Sequence, residues 1–281
     1  VIANGTKETP ITIRGDRTDR LFDSVPYRVA SGQWNGIYLL HTKDTPCPKY
    51  EMNHVEILSG TVGLYAQSEP IYPRPVLTFT NGRIHNHSVY GMILQNIDAV
   101  VVNSEISNCA SFCVYLSGGK QQFIHTTVAS YFGYPYTNIN IHNQVSRDNV
   151  TAVYINNINK QTASTEASFK NCIITGARTS NLLVATPLPQ HYEGEFVGNY
   201  LRADTLSAAF AHTNTYATKS DTVFRNIYYR INEYHYYDFQ LDSVSPARGI
   251  GDSITALSYP YDRLGNRRKP HPDAGCYEFV E

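Results

Sequence analysis

Charge of either sign is scarce in this chain. Lys and Arg number 23 against 24 Asp and Glu, charged residues make up 17% of 281, and the net charge is -1 at neutral pH. With no basic excess there is no electrostatic footprint for a phosphate backbone, so nucleic acid is excluded as a partner. No apolar run approaches the ~18–20 residues of a membrane-spanning helix, so no transmembrane segment is expected. The five cysteines, Cys47, Cys109, Cys113, Cys172 and Cys276, contain no CxxC pair and are odd in number. That argues against a zinc site and a complete disulfide framework, and Cys172 is expected as a buried thiol. No signal peptide opens the chain. It starts instead at Val1 inside the strand-like VIANGTKETPITI, without the polar cap that an array end requires, so upstream residues are expected.

A helical period also fails to recur anywhere; what recurs is a template. Corner residues His54, Asn81, Asn103, His125, Asn171, Asn199 and Asn226 each follow an apolar residue by two positions: Met52, Phe79, Val101, Phe123, Phe169, Val197 and Phe224. Three positions after the corners stand Ile57, Ile84, Ile106, Val128, Ile174, Arg202 and Tyr229, of which Arg202 alone breaks the pattern. By subtraction the corner spacings are 27, 22, 22, 46, 28 and 27, so the fourth gap holds either two coils or one coil with a large insertion. Periods of this size signal a stacked array. Between corners the alternation has period two, as in LTFTNGRI and AVVVNSEI, and short apolar stretches supply three strands per coil. The fold class that follows is all-β: a single-stranded right-handed parallel β-helix, with coils over 1–239 and a closing segment over 240–281. Leucine-rich repeats lack their Leu signature here.

Corner Asn residues suit a bend whose backbone groups turn inward, since the amide bonds within its own coil and to the Asn stacked above. His54 and His125 fall in the same register and are read as ladder residues rather than catalytic ones. Two regions leave the template. Residues 131–162 form a long excursion, of the kind that maps to the functional face of a solenoid. The tail from Gln240 onward is rich in Gly, Pro and Asp and reads as turns and short strands.

That tail carries Ser245, Pro246, Ala247, Gly249 and Gly251, then Asp262, Gly265, Asn266 and Arg268 (or Arg267), then Asp273, Gly275, Tyr277 and Glu278. The opening carries Gly5, Thr6, Pro10, Ile11, Trp34, Gly36 and Ile37. On these residues the chain resembles the secreted or cell-surface right-handed parallel β-helix proteins of the Bacteroidetes, related in fold to polysaccharide lyases. Arg248 and Ile250 depart from that pattern, which has acidic or small residues there. The resemblance implies export and either a lipid anchor at the outer-membrane surface or secretion, among proteins that handle glycans. The motif itself is structural: its glycines turn the chain and its aspartates accept backbone hydrogen bonds.

Catalysis needs charged groups on an outer wall. One position before the corners stand Asn53, Thr80, Val102, Ile124, Lys170, Gly198 and Arg225; three before stand Glu51, Thr78, Val100, Gln122, Ser168, Phe196 and Val223. A single carboxylate and two separated cations make a poor lyase site, and no carboxylate pair for glycoside hydrolysis appears there. Two positions after the corners, Glu56, Arg83 and Glu105 read as a salt-bridged outer ladder, with Glu56 and Glu105 as a catalytic pair the alternative. His85 and His87 lack a third ligand, so neither metal nor cofactor is expected. Arg14-Gly15-Asp16 is read as a turn. The 22 Tyr suit sugar contact, and Tyr131, Tyr134 and Tyr136, with Asn138 and Asn140 on the excursion, are the candidate glycan-binding residues. Val100, Val102 and Ile124 form an outward apolar patch, to be covered by the excursion or by a partner chain. The expected function is a non-catalytic glycan-binding or scaffold component with outer-membrane partners; the alternative is a polysaccharide lyase or glycoside hydrolase.

Overall fold

The computed structural model describes residues 1–22, 25–26, 30–132, 150–156, 165–185, 194–203, 213–218, 220–227 and 237–281. Strands of two to seven residues stack into three parallel sheets, with one strand per sheet in each complete coil, which is a parallel β-helix. The first sheet runs through Ile2–Asn4, Lys49–Asn53, Val76–Thr80, Asp98–Val102, Gly119–Ile124, Thr165–Lys170 and the two-residue Phe196–Val197. The second runs through Ile11–Ile13, Val55–Leu58, Arg83–His87, Glu105–Cys109, Thr127–Ser130, Ile173–Gly176, Tyr200–Leu201 and Thr215–Tyr216. The third runs through Ile37–His41, Val62–Ser68, Tyr90–Gln95, Phe112–Ser117, Thr151–Asn156 and Leu182–Ala185.

Alternation sets the interior. In the first sheet Met52, Phe79, Val101, Phe123, Phe169 and Phe196 occupy one register column and are all buried. Their rings stack like the strands that carry them, with centroids 4.8 Å apart for Phe123 and Phe169 and 5.2 Å for Phe169 and Phe196. Each such side chain contributes about 1.5–3 kcal/mol by leaving water.

The bend from first to second sheet is made by one left-handed residue per coil: His54, Asn81, Asn103, His125 and Asn171 at φ between 47° and 54°. Asn tolerates this region far better than branched residues do. The backbone N–H of each bonds the next coil, as from Asn81 to Val102 O at 3.0 Å and from Asn103 to Ile124 O at 3.1 Å. In the sixth coil the corner is Gly198, not Asn199: Phe169 pairs with Phe196 and Lys170 with Val197, and Gly198 has φ 65°. A Cβ there would lie 2.6 Å from Asp252 N. The corrected register places Leu201, not Arg202, in the inward row beside Ile174, and the corner spacing after Asn171 is 27. The seventh corner is not one, because Asn226 ends an antiparallel pair between Phe224–Asn226 and Asp238–Leu241.

The 46-residue gap holds one coil. Thr151–Asn156, inside what reads in sequence as a single excursion, is a third-sheet strand between Phe112–Ser117 and Leu182–Ala185. The tail does not merely close the end of the array. It runs back along the outer face of the second sheet and encloses a second apolar core, with Ile173 and Tyr200 from the coil against Phe224, Phe239, Ala274 and Tyr277. Buried on both sides, strands such as Glu105–Cys109 lose their alternation of exposure altogether.

The tail motif performs this docking. Asp262 accepts from the N–H groups of Leu264, Asn266 and Glu278, and Asp273 from those of Gly249 and Phe279. Arg268, rather than Arg267, is the buried arginine; it donates to Asn103 Oδ1 at 2.9 Å and pairs with Glu278 at 3.3 Å. Burial pushes Glu278 up and Arg268 down from their ordinary values, so this pair fixes geometry more than it adds stability. Gly275, at φ 91°, passes so close that a Cβ would lie 2.6 Å from Thr127 Oγ1. The corner side chains face the tail: Asn103 Nδ2 donates to Tyr261 O, and Asn171 Nδ2 to Asp252 O while its Oδ1 accepts from Asp252 N. Direct side-chain bonding between stacked corners occurs between Asn171 and His125, at 3.1 Å.

Candidate functional site

Among the described residues, the outer face of the third sheet differs in chemistry from the others. Its six strands read IYLLH, VGLYAQS, YGMILQ, FCVYLS, TAVYIN and LLVA, with no Asp, Glu, Lys or Arg. Inward positions are Leu39, Leu64, Ala66, Met92, Leu94, Val114, Leu116, Val153 and Ile155. Alternation therefore turns Tyr38, Tyr65, Ile93, Tyr115 and Tyr154 outward in one register column, joined by Tyr90 and Phe112 from the strand starts.

These rings touch. Tyr38 and Tyr65 lie 5.5 Å apart, Tyr115 and Tyr154 5.5 Å, Phe112 and Tyr154 4.9 Å, and Tyr90 and Phe112 5.9 Å. Tyr90 closes a four-ring cluster by approaching Tyr115 at 6.5 Å. Amides border the rings: Tyr65 donates its hydroxyl to Gln67 Oε1, and Asn156 Nδ2 donates to Tyr115 Oη at 2.8 Å. Partial burial, and then the neighbouring phenols, push Tyr65 and Tyr154 above the usual phenol value, so both stay neutral donors at physiological pH. Half of Tyr38 and most of Leu40 remain in water.

Rings bordered by oriented amides match the amphipathic faces of a sugar, with stacking on the C–H face and hydrogen bonds to the hydroxyls. What the face lacks is equally specific. Proton abstraction or protonation of a glycosidic oxygen needs a group poised near neutral pH, and no carboxylate, lysine or arginine stands on these strands.

The carboxylates proposed as an alternative catalytic pair are committed elsewhere. Glu56 pairs with Arg263 of the tail at 2.8 Å. Glu105 is sealed beneath the tail and bonds Arg83 Nε at 2.9 Å, Ser107 Oγ at 2.7 Å and Tyr277 Oη at 2.5 Å. Burial would raise Glu105, but the Arg83 charge, with Arg263 and the Tyr277 hydroxyl, outweighs it and pulls the group down to about 2. His85, held neutral by burial and by Arg83, bonds Ser107 Oγ at 2.8 Å. His87 accepts from Gly60 N and donates to Ile57 O, and burial pulls it down to about 4. Among the described residues no cluster of three or more His, Cys, Asp or Glu could hold a metal ion, and no helix is long and apolar enough to cross a membrane.

Of the sequence candidates, Tyr134, Tyr136, Asn138 and Asn140 lie outside the described residues. Tyr131 is buried, packed 6.2 Å from both Phe224 and Phe239, and turns no open ring face to a ligand. Val102 and Ile124 are 5% and 8% exposed within this one chain, and Val100 is half-buried. The corners that follow them, Asn103 and His125, both meet the tail, so the closing segment flanks this patch, while most of the excursion lies outside the described residues. The third-sheet face had a signal in the sequence: the alternation that sets Leu94 and Leu116 inward sets Tyr115 outward, and carrying it back two strands reaches Tyr65.

No family model matches the chain, and no curated protein does. Among solved structures, a crystal structure of pectate lyase Pel9A aligns over 100% of this chain and 84% of that one, at 14% identity and a TM-score of 0.34.

Proposed function

We propose that this protein is a non-catalytic glycan-binding β-helix that uses the outer face of the third sheet, and that it works outside the cytoplasm, at the outer-membrane surface or secreted. The observation that carries the binding site is the column of outward rings beside amides on strands without a single formal charge. A uronate polymer would need its carboxylates neutralised, and the described strands of this face carry no cation; the ligand class is therefore an uncharged glycan. The location is supported by the two end blocks that resemble cell-surface β-helix proteins, with outer-membrane components as expected partners.

Two measurements test this. Affinity electrophoresis in gels containing neutral polysaccharides (xylan, glucan, mannan) or acidic ones (pectate, alginate) should retard the protein in the neutral gels alone. Incubation with pectate, alginate or chondroitin should leave the absorbance of unsaturated products flat. Retardation by acidic polymers only, or a steady rise in that absorbance, overturns the proposal.

A further inference from the structure

The rings recur at one register position per coil. Tyr38 pairs with Tyr65, Tyr65 and Tyr115 both pair with Ile93, and Tyr115 pairs with Tyr154. Two residues further along each strand runs a second column, Leu40, Gln67, Gln95 and Ser117; Asn156 extends it, following Ile155, the partner of Leu116. Where Ile93 interrupts the phenols, Tyr90 of the same strand supplies a ring. Successive coils are spaced by the strand separation, ~4.8 Å. That is close to the length of one pyranose unit in an extended chain, so rings and amides repeat in step with such a polymer.

We infer that this face takes an extended, uncharged polysaccharide laid along the helix axis, with one sugar ring over each coil from Tyr38 to Tyr154, rather than a single terminal sugar. The inference rests on the glycan-binding reading above and adds the shape and direction of the ligand. The two ends of the face differ. The four-ring cluster of Tyr90, Phe112, Tyr115 and Tyr154 anchors one end, while the more exposed Tyr38 adds its contact only when the chain is long enough to reach it.

The experiment titrates the protein with xylo-, cello- and manno-oligosaccharides from disaccharide to hexasaccharide, by calorimetry. Affinity for the preferred series should climb with each added unit and level off at about five, the number of coils bearing rings at the strand spacing. Tyr38→Ala should weaken the longest ligand about tenfold and leave the disaccharide unchanged. Tyr115→Ala should weaken every length, with an unchanged far-UV spectrum showing that the variant folds. A trisaccharide that binds as tightly as a hexasaccharide, with Tyr38→Ala silent at all lengths, overturns the axial ligand and leaves glycan binding standing. If neither the oligosaccharides nor their parent polymers bind, the glycan reading itself falls. Concentration-dependent dimerisation abolished by Tyr115→Ala would instead make this face an interface between two copies and overturn both.

Discussion

The second and third sheets belong to the same coils and share one apolar interior, yet their outer faces have opposite fates. The second carries Glu56, Arg83, His85 and Glu105 outward and is covered by the protein's own tail; the third carries rings and amides and no formal charge. The charged face is the one that is put away. Its charges are tolerated because each finds a partner supplied by the tail or by the adjacent coil: Arg263 for Glu56, and Tyr277 with Arg83 for Glu105. On the second sheet formal charge serves to dock the tail, and the tail leaves the aromatic surface of the third sheet uncovered.

The sharpest way to break that comparison is Glu105→Gln. It leaves Arg83 without its counter-ion beneath the tail and should cost about 3–5 kcal/mol, read from urea unfolding, and make the tail the first site cut in limited proteolysis. A loss under about 1 kcal/mol would show that the Glu105 contacts do not hold the tail. Acid should act on the same contact. The folded-state value of Glu105 is depressed from 4.5 to about 2, so its stabilisation is complete above pH 4.5 and is lost as pH falls toward 2. The loss is of order 3 kcal/mol, and Glu105→Gln should flatten this part of the stability–pH curve. If wild type and variant decline in parallel there, Glu105 is not the group that titrates.

The corner beneath the tail should give a smaller effect. Asn103→Ala removes the acceptor for Arg268 and the donor to Tyr261, and leaves at φ 48° a residue without the short polar side chain that eases the left-handed region, for a total of about 2–4 kcal/mol. Asn103→Gly relieves the backbone term, about 1 kcal/mol, without restoring the bonds. Equal stability of the two variants would mean that the side-chain bonds carry the whole cost.

These effects also mark how far the sequence could be read. The coils were legible because their demands are local: an inward apolar residue every second position, and a residue tolerant of positive φ at the bend. The reading slipped by one at Asn199 because Gly198, which meets the backbone demand with no side chain, was hidden beside an Asn that matched the template. It failed at Asn226 because a local pattern cannot tell a coil bend from the end of an antiparallel pair. The covering of the second sheet was out of reach for a different reason. Arg263 and Tyr277 meet Glu56 and Glu105 across 207 and 172 residues, and nothing near those glutamates announces such partners. The ring column was partly legible, since alternation fixes which tyrosines face out. Dense tyrosine runs such as the one that begins at Tyr131, itself buried in the apolar cluster beneath the tail, stand out in sequence, whereas single tyrosines become neighbours only when coils stack.

The smallest effect on stability tests the other half of the comparison. Gln67→Ala on the third sheet removes the acceptor of the Tyr65 hydroxyl, at a position open enough for water to replace it. An outward substitution that leaves no buried group unpaired should change the unfolding free energy by no more than about 0.5 kcal/mol. Glu105→Gln, a change of one functional group on the neighbouring sheet, should cost several times more. If the third sheet were instead a covered face, Gln67→Ala would strand the Tyr65 phenol and cost about 1–3 kcal/mol, comparable to the corner variants. Urea unfolding of the two variants side by side therefore decides whether the face is built for the chain's own packing or held open for something else. A near-silent Gln67→Ala that nevertheless lowers retardation in neutral polysaccharide gels would assign the amide to the ligand, because a group that contributes little to folding has no other partner to lose.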